Sequence, residues 1–415
     1  MTFSRRLLVL MAALALLFPA CQPGDDDSDG GGGSGDGEEG PIKVGISLPL
    51  TGDFTEPGEG VKRGYELWAE DVNEAGGLLG REVELIIVDD ASDSNKVVSD
   101  YERLITVENV DLVFGPFSSL LVIPASEVAE KYEMLFVQPA GAAPEVFERG
   151  LEYLFYAAPA VASDHGRYFT EWILNLPEGE RPTTAAYAEM DDPFAQATAE
   201  GIKADLEAGG VETVFKEIYP PEQNDFAPIA AKIADSRAEI VVGGTQYEDS
   251  VGLLRALQEV GYQPEAVIST TGPTIPTFQE ALGDATEGVL APVGWSPQAD
   301  FPSNLEFVAS YEEKFGEEPS EDPANAYTVG QVVAQAVEAV GSVDDQTALR
   351  DYIRDNEFET VVGPLTFNER GEPESAHMIL QWQNGRTEIV LPVEGQIEGA
   401  VPVQTSEIIH PKPEW

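Results

Sequence analysis

Few side chains in this sequence have types and spacing suited to making or breaking a covalent bond. There is one cysteine, Cys21, and there are three histidines, His165, His377 and His410. No histidine has a second at metal-ligand spacing. No HExxH, G-K-[ST] or G-x-S-x-G run occurs to supply a zinc site, a phosphate loop or a nucleophile elbow. The histidines therefore read as surface or turn residues. Gly58, Gly60 and Gly64 approach a dinucleotide fingerprint, but the last spacing is off by one. Asp89-Asp90 closes an apolar run and reads as loop or cap rather than metal site. What remains is the chemistry of recognition. Ser118-Ser119 stand before an apolar helical run, where a serine caps the helix and free N–H groups suit an anion. Phe117, Phe194 and Tyr247 either line a cleft or pack. The chain reads as a binder and not an enzyme, with no metal and no cofactor.

Cys21 belongs to a different chemistry. Arg5-Arg6 precede an apolar run over 7–18 that ends in Pro19-Ala20-Cys21: a basic start, a short apolar centre, and a small residue before a cut. The run falls short of the ~20 apolar residues of a spanning helix. Cleavage would make Cys21 the new N-terminus, which resembles a bacterial lipobox with Phe18 in place of the usual Leu. The expectation is a signal peptide over 1–20 and a lipid on Cys21. The protein would then be exported and anchored at the outer face of the cytoplasmic membrane or in the periplasm or cell envelope. The paired arginines leave the twin-arginine route open beside the general one. Residues 21–40 are almost wholly Gly, Asp, Ser and Glu, with too little apolar surface to order themselves, so they read as a flexible acidic linker.

A formal net charge of -52 over 415 residues repels nucleic acid and excludes it as a partner. The acids are spread along the chain, as on a solvated surface. A single cysteine rules out intrachain disulfides. The length beyond the linker exceeds what one core serves, so two lobes are expected.

The elements that must position the recognition residues follow an α/β grammar. Apolar runs at 42–50, 83–88, 110–114 and 134–137 read as strands; stripes at 61–75, 97–107 and 119–132 read as helices. Trp68, on the first stripe, reads as core. The grammar restarts with strands at 183–188, 211–218, 239–242 and 266–269 and helices at 194–208, 226–234 and 250–260. Helices follow at 304–315, 324–340 and 346–355. Short antiparallel strands at 365–367, 377–382 and 388–390 then flank turns at 368–371 and Asn384-Gly385. Strand alternating with helix implies parallel sheets covered on both faces.

At this level the chain resembles type I periplasmic binding proteins of the branched-chain amino acid kind. The carriers are IKVGISLPLTG at 42–52, NEAGGLLGREVEL at 73–85, Asp89-Asp90, GPFSS at 115–119, IPAS at 123–126, QPAGAAPEV at 138–146 and VVGPLTFNERGE at 361–372. The resemblance implies two doubly wound lobes joined by a three-strand hinge. Lobe one would be 42–158 plus 292–362 and lobe two 159–291 plus 363–390, with 391–415 as a C-terminal extension. Pro159, the 288–292 stretch and Gly363-Pro364 would carry the crossovers. It also implies a ligand site at the strands' carboxyl ends. Ser119, beside Ser118, falls on the carboxylate-binding serine. Ala140 falls where a backbone carbonyl accepts from an ammonium, with Gly141 next to it, and Ala142 stands where the family has a threonine. In lobe two, Phe194 and Thr245 occupy tyrosine positions, followed by Gln246 and Tyr247. Thr271 stands where leucine-type binders carry an ammonium-pairing glutamate, so Asp191, Asp192, Glu189 or Glu248 replaces it or the ligand is not an α-amino acid. The implied function is capture of a small amino acid or related carboxylate by hinge closure and delivery to the permease subunits of an ABC importer. The alternative is a sensor or regulator on the same fold, binding an aromatic acid, dicarboxylate or amide.

Overall fold

The computed structural model describes residues 40–301, 303–373, 377–393 and 404–415. The expected signal peptide, Cys21 and the linker up to Glu39 lie outside the described residues. The first run of elements is β1 (Ile42–Leu48), α1 (Thr55–Glu74), β2 (Val83–Asp89), α2 (Ser94–Thr106), β3 (Leu112–Phe114), α3 (Ser119–Lys131), β4 (Phe136–Gln138), α4 (Pro144–Phe147) and β5 (Leu154–Tyr156). Their strands form a wholly parallel sheet in the order β2-β1-β3-β4-β5. The second run is α5 (Arg167–Asn175), β6 (Thr184–Met190), α6 (Pro193–Ala208), β7 (Glu212–Tyr219), α7 (Ala227–Ser236), β8 (Ile240–Gly244), α8 (Tyr247–Glu259), β9 (Ala266–Ser269), α9 (Thr277–Leu282) and β10 (Leu290–Val293). Then come α10 (Asn304–Phe315), α11 (Glu321–Val340), α12 (Gln346–Asp355), the hairpin β11 (Phe358–Thr360) and β12 (Gly363–Leu365), and finally β13 (Met378–Gln383) and β14 (Arg386–Leu391). The second sheet runs β14-β13-β10-β9-β8-β6-β7, parallel from β10 to β7, with β13 and β14 antiparallel.

Each sheet has its own core. The first draws on β1 to β5 and on α10 to β12; the second draws on β6 to β10 with β13 and β14. The chain therefore passes between the two cores three times: after β5, after β10, and between β12 and β13. Two of these passages lie later than the sequence suggested. Leu290–Val293 is a fully buried strand paired to β9 and β13, so the expected break at 291/292 falls inside β10 and the passage begins at Gly294. At the third, Leu365 and Phe367 still pack in the first core, so the chain leaves it after Phe367 and not at Gly363. Of the expected C-terminal extension, 391–415, Leu391 still belongs to β14, and residues 404–415 run beside β13. There the Gln381 side chain donates to Ile409 O (2.9 Å) and accepts from Ile409 N–H (2.7 Å), and Gln383 donates to Glu407 O (2.8 Å).

One helix pair matters for the site. α1 and α11 approach so closely that a Cβ on Gly64 would lie 2.2 Å from Pro323 O, and one on Gly330 would lie 2.2 Å from the Trp68 ring. Trp68 is buried against Phe114, with ring centroids 5.3 Å apart. The glycines at 58, 60 and 64 thus sit inside a helix and make room for a neighbour, with no phosphate loop. This packing fixes the first turn of α11, which starts three residues earlier than its apolar stripe predicted because Ser320, Glu321, Asp322 and Pro323 carry no such stripe.

Candidate functional site

A cleft of about 500 Å³, counted out to its mouth, opens between the two sheets. Its walls are built from the carboxyl ends of parallel strands, where open α/β sheets bind their ligands. Beyond β3 come Phe117 and Ser118, beyond β4 Pro139 and Ala140, and Tyr156 ends β5. From the other side Phe194 opens α6, Gln246 follows β8, and Thr270 and Thr271 follow β9, with Thr274 close behind. His165, Pro292, Glu321, Asp322 and Asn325 complete the wall. α9 is also tied to α1: the Thr277 hydroxyl donates to Glu56 at 2.9 Å.

The β3 wall is braced from behind, with Tyr65 Oη donating to Gly115 O at 2.9 Å. It delivers Ser118 at φ 73°, a conformation that costs a non-glycine residue ~1–3 kcal/mol and is common at functional sites. Ser118 is 2 % exposed, lines the cleft, and its hydroxyl has no hydrogen-bond partner. Ser119, the residue favoured by the resemblance, is placed differently. It is fully buried and its Oγ accepts from Ala143 N–H at 3.0 Å, tying α3 to the loop after β4. It does not line the cleft.

Of the other expected site residues, Ala140, Phe194, Gln246 and Thr271 reach the cleft. Gly141, Ala142, Thr245 and Tyr247 lie behind the wall. Gly141 O accepts from Gln138 Nε2 (3.0 Å), and Ala142 O accepts from Ala162 N–H (2.8 Å). Thr245 shares its hydroxyl with Ser269 (2.8 Å). Tyr247 is buried at the start of α8. Gln246 donates to Asp192 (3.2 Å) and accepts from Thr271 Oγ1 (3.4 Å), so the second wall is a connected polar network.

None of the four acids named as substitutes for the missing glutamate lines the cleft. Glu189 is paired with Lys216 at 3.0 Å, Asp191 accepts from Gln196, Asp192 caps α6 through Ala195 N–H at 2.9 Å, and Glu248 is exposed. The cleft's carboxylates come instead from the first turn of α11. Glu321 accepts from Gly294 N–H at 2.7 Å. Burial lifts its carboxyl to about 7. Asp322 is held well above the usual carboxylate range, first by burial and then by repulsion from Glu321 and Glu56. Among the described residues no three His, Cys, Asp or Glu side chains converge as a metal site.

The surface or turn reading fails for two histidines. His165 and His377 are each 6 % exposed and stack at 3.9 Å, 29° from parallel. Burial depresses His165 to about 4 and His377 well below its ordinary value, so the pair is neutral. They meet because one follows the first passage between the cores and the other ends the third.

Comparison with known proteins follows the same lines. The family described as periplasmic binding protein matches residues 41–387. A Leu/Ile/Val-binding protein homolog 1 of Brucella abortus is 28% identical over 346 residues, covering 83% of this chain and 91% of that protein. A leucine-binding protein from Thermotoga maritima superposes with a TM-score of 0.77 at 21% identity, covering 84% of this chain and 98% of the other. An ABC transporter solute-binding protein from R. palustris, solved in complex with benzoate, gives 0.75 at 21% identity, covering 84% and 95%. No helix of the described residues is long and apolar enough to cross a membrane.

Proposed function

The chain belongs to the periplasmic binding protein family, and from that premise we propose that it captures a small amino acid or related carboxylate by hinge closure and delivers it to the permease of an ABC importer. The observation that carries this reading is the cleft wall. It is assembled from both sheets, and the unpartnered Ser118 hydroxyl stands beside the N-terminus of α3, where partial positive charge favours an anionic group. The lobes would be 41–158 with 294–367, and 159–293 with the chain from His377 onward. They would close about the three passages between the cores. The same proposal anchors the protein through a lipid on Cys21, outside the cytoplasm, with residues 22–40 as its leash. A leucine-binding protein and a solute-binding protein in complex with benzoate, both of similar fold, frame the solutes to try.

Thermal-shift screening of amino acids, aromatic acids, dicarboxylates and amides tests the binding claim. A solute at a hundredfold over its Kd should stabilise the fold by ~2.7 kcal/mol. No shift from any of these classes contradicts it. For the anchor, Cys21→Ser should move the protein from the membrane to the soluble fraction, and an unmodified Cys21 in intact-mass analysis refutes the claim.

A further inference from the structure

The acids in the cleft have an arrangement that the solute-binding reading alone does not account for. Glu321 and Asp322 open α11, and acids in a first helical turn are ordinarily explained by the helix dipole. That explanation leaves such acids in water. Here both are only partly exposed and both line the cleft. Asn325 lies four residues after Glu321, hence on the same helix face. It is 4 % exposed, lines the same cleft, and its Oδ1 accepts no hydrogen bond. A carbonyl oxygen can only accept, and leaving one buried and unpaired is costly. The wall thus presents three acceptors side by side: two carboxyl groups and one amide oxygen. Glu321 already accepts from Gly294 N–H, and no lysine or arginine lines the cleft to pair with either carboxyl. The ionisable groups that face them are Glu56 on α1, Tyr156 at the end of β5, and His165, which is neutral. None of these is a cation. The aromatic side chains of Phe117, Tyr156 and Phe194 line the same space, and aromatic rings attract a cation over their faces.

We propose that the solute carries a primary ammonium group that docks on Glu321, Asp322 and Asn325 Oδ1. An ammonium has three N–H donors, one for each acceptor. The site that accepts it lies on α11, from the first sheet's side of the cleft, and not on the β9 loop where Thr271 stands. The assignment rests on the solute-binding reading and narrows it: amines and amino acids fit, while simple carboxylates such as benzoate bring no donor to the two carboxyls or to the unpartnered Asn325 Oδ1.

The test uses ligands matched in carbon skeleton. Leucine, isoamylamine and isocaproate form one set; phenylalanine, phenethylamine and hydrocinnamate a second; lysine, cadaverine and benzoate extend the range. Each is titrated calorimetrically into the mature protein and into its Glu321→Gln and Asp322→Asn variants, whose melting curves are recorded in parallel. The amine-bearing members should bind and the acid-only members should not. Asp322→Asn should weaken the amines about tenfold or more. Amine affinity should rise between pH 5.5 and 8 as Glu321 ionises, and that rise should flatten in Glu321→Gln. An acid-only member that binds as tightly as its amine counterpart overturns the assignment while leaving the protein a solute binder; it would mean that the protonated carboxyls donate to a ligand carboxylate. Unchanged amine affinity in a folded Asp322→Asn overturns it too. If no compound of any set binds, the solute-binding reading fails first and the ammonium site falls with it.

Discussion

Glu321→Gln should make the empty protein more stable. Burial lifts the Glu321 carboxyl from 4.5 to about 7. A carboxyl whose folded value lies above its unfolded value holds its proton longer in the native state, so the native state loses stability as pH rises through that window. Ionising Glu321 therefore costs roughly 3 kcal/mol by pH 8 if the whole shift is counted at 1.36 kcal/mol per unit. Glu321 still reaches solvent through the cleft, and screening brings the figure to about 1–2 kcal/mol. Glutamine has the same shape and keeps the oxygen that accepts from Gly294 N–H, at 2.7 Å in the native protein. The substitution should raise stability by that amount at pH 8 and by less at pH 5, while weakening the binding of amines. The assay is chemical denaturation at both pH values. A binding residue shows this opposition between stability and affinity; a residue kept for the fold does not. Equal destabilisation at both pH values would refute the reasoning and make Glu321 a brace for the passage at Gly294.

Four further outcomes follow from particular contacts. Ser118→Ala should weaken solute binding and leave the melting point nearly unchanged, because its hydroxyl has no protein partner. Ser119→Ala should do the reverse, costing ~1–3 kcal/mol of stability by stranding the buried Ala143 N–H; calorimetry and denaturation on the pair separate the roles. His377→Phe keeps a ring against His165 and removes two buried nitrogens that have no hydrogen-bond partner. The unfolded chain protonates first as pH falls below 6.5, since burial holds His165 near 4 and His377 well below its ordinary value; the variant should lose less stability as pH falls through that window, which a pH series of melting curves measures. Gly330→Val should cost ~1–3 kcal/mol, since its Cβ would meet Trp68 at 2.2 Å and push α11 away from α1.

Periodicity located most of the strands and helices because each buries one face. Ala266–Ser269 and Gln346–Asp355 emerged with the bounds read from the sequence. Leu154–Tyr156 and Leu290–Val293 are not singled out by the sequence pattern, and the glycine and proline around the second read as hinge. GPFSS leads to the cleft: Ser118, with its strained backbone, lines it, while Ser119 turns back toward Ala143. The acids of α11 were missed for a different reason. Pro323 marks a helix start, but what aims that start at the cleft is the close packing of Gly64 and Gly330 across 250 and more residues of chain, which no local pattern carries. The buried histidines were missed likewise, since the two residues meet only through separate passages between the sheets.

The most direct measurement is a crystal structure of the protein with the solute that raises its melting point. The account predicts one solute molecule per chain, enclosed between the sheets. It should touch Ser118 and the first turn of α11 on one side and Gln246 or Thr271 on the other. Density for the solute outside this cleft, or contacts to residues of one sheet's side alone, would contradict it.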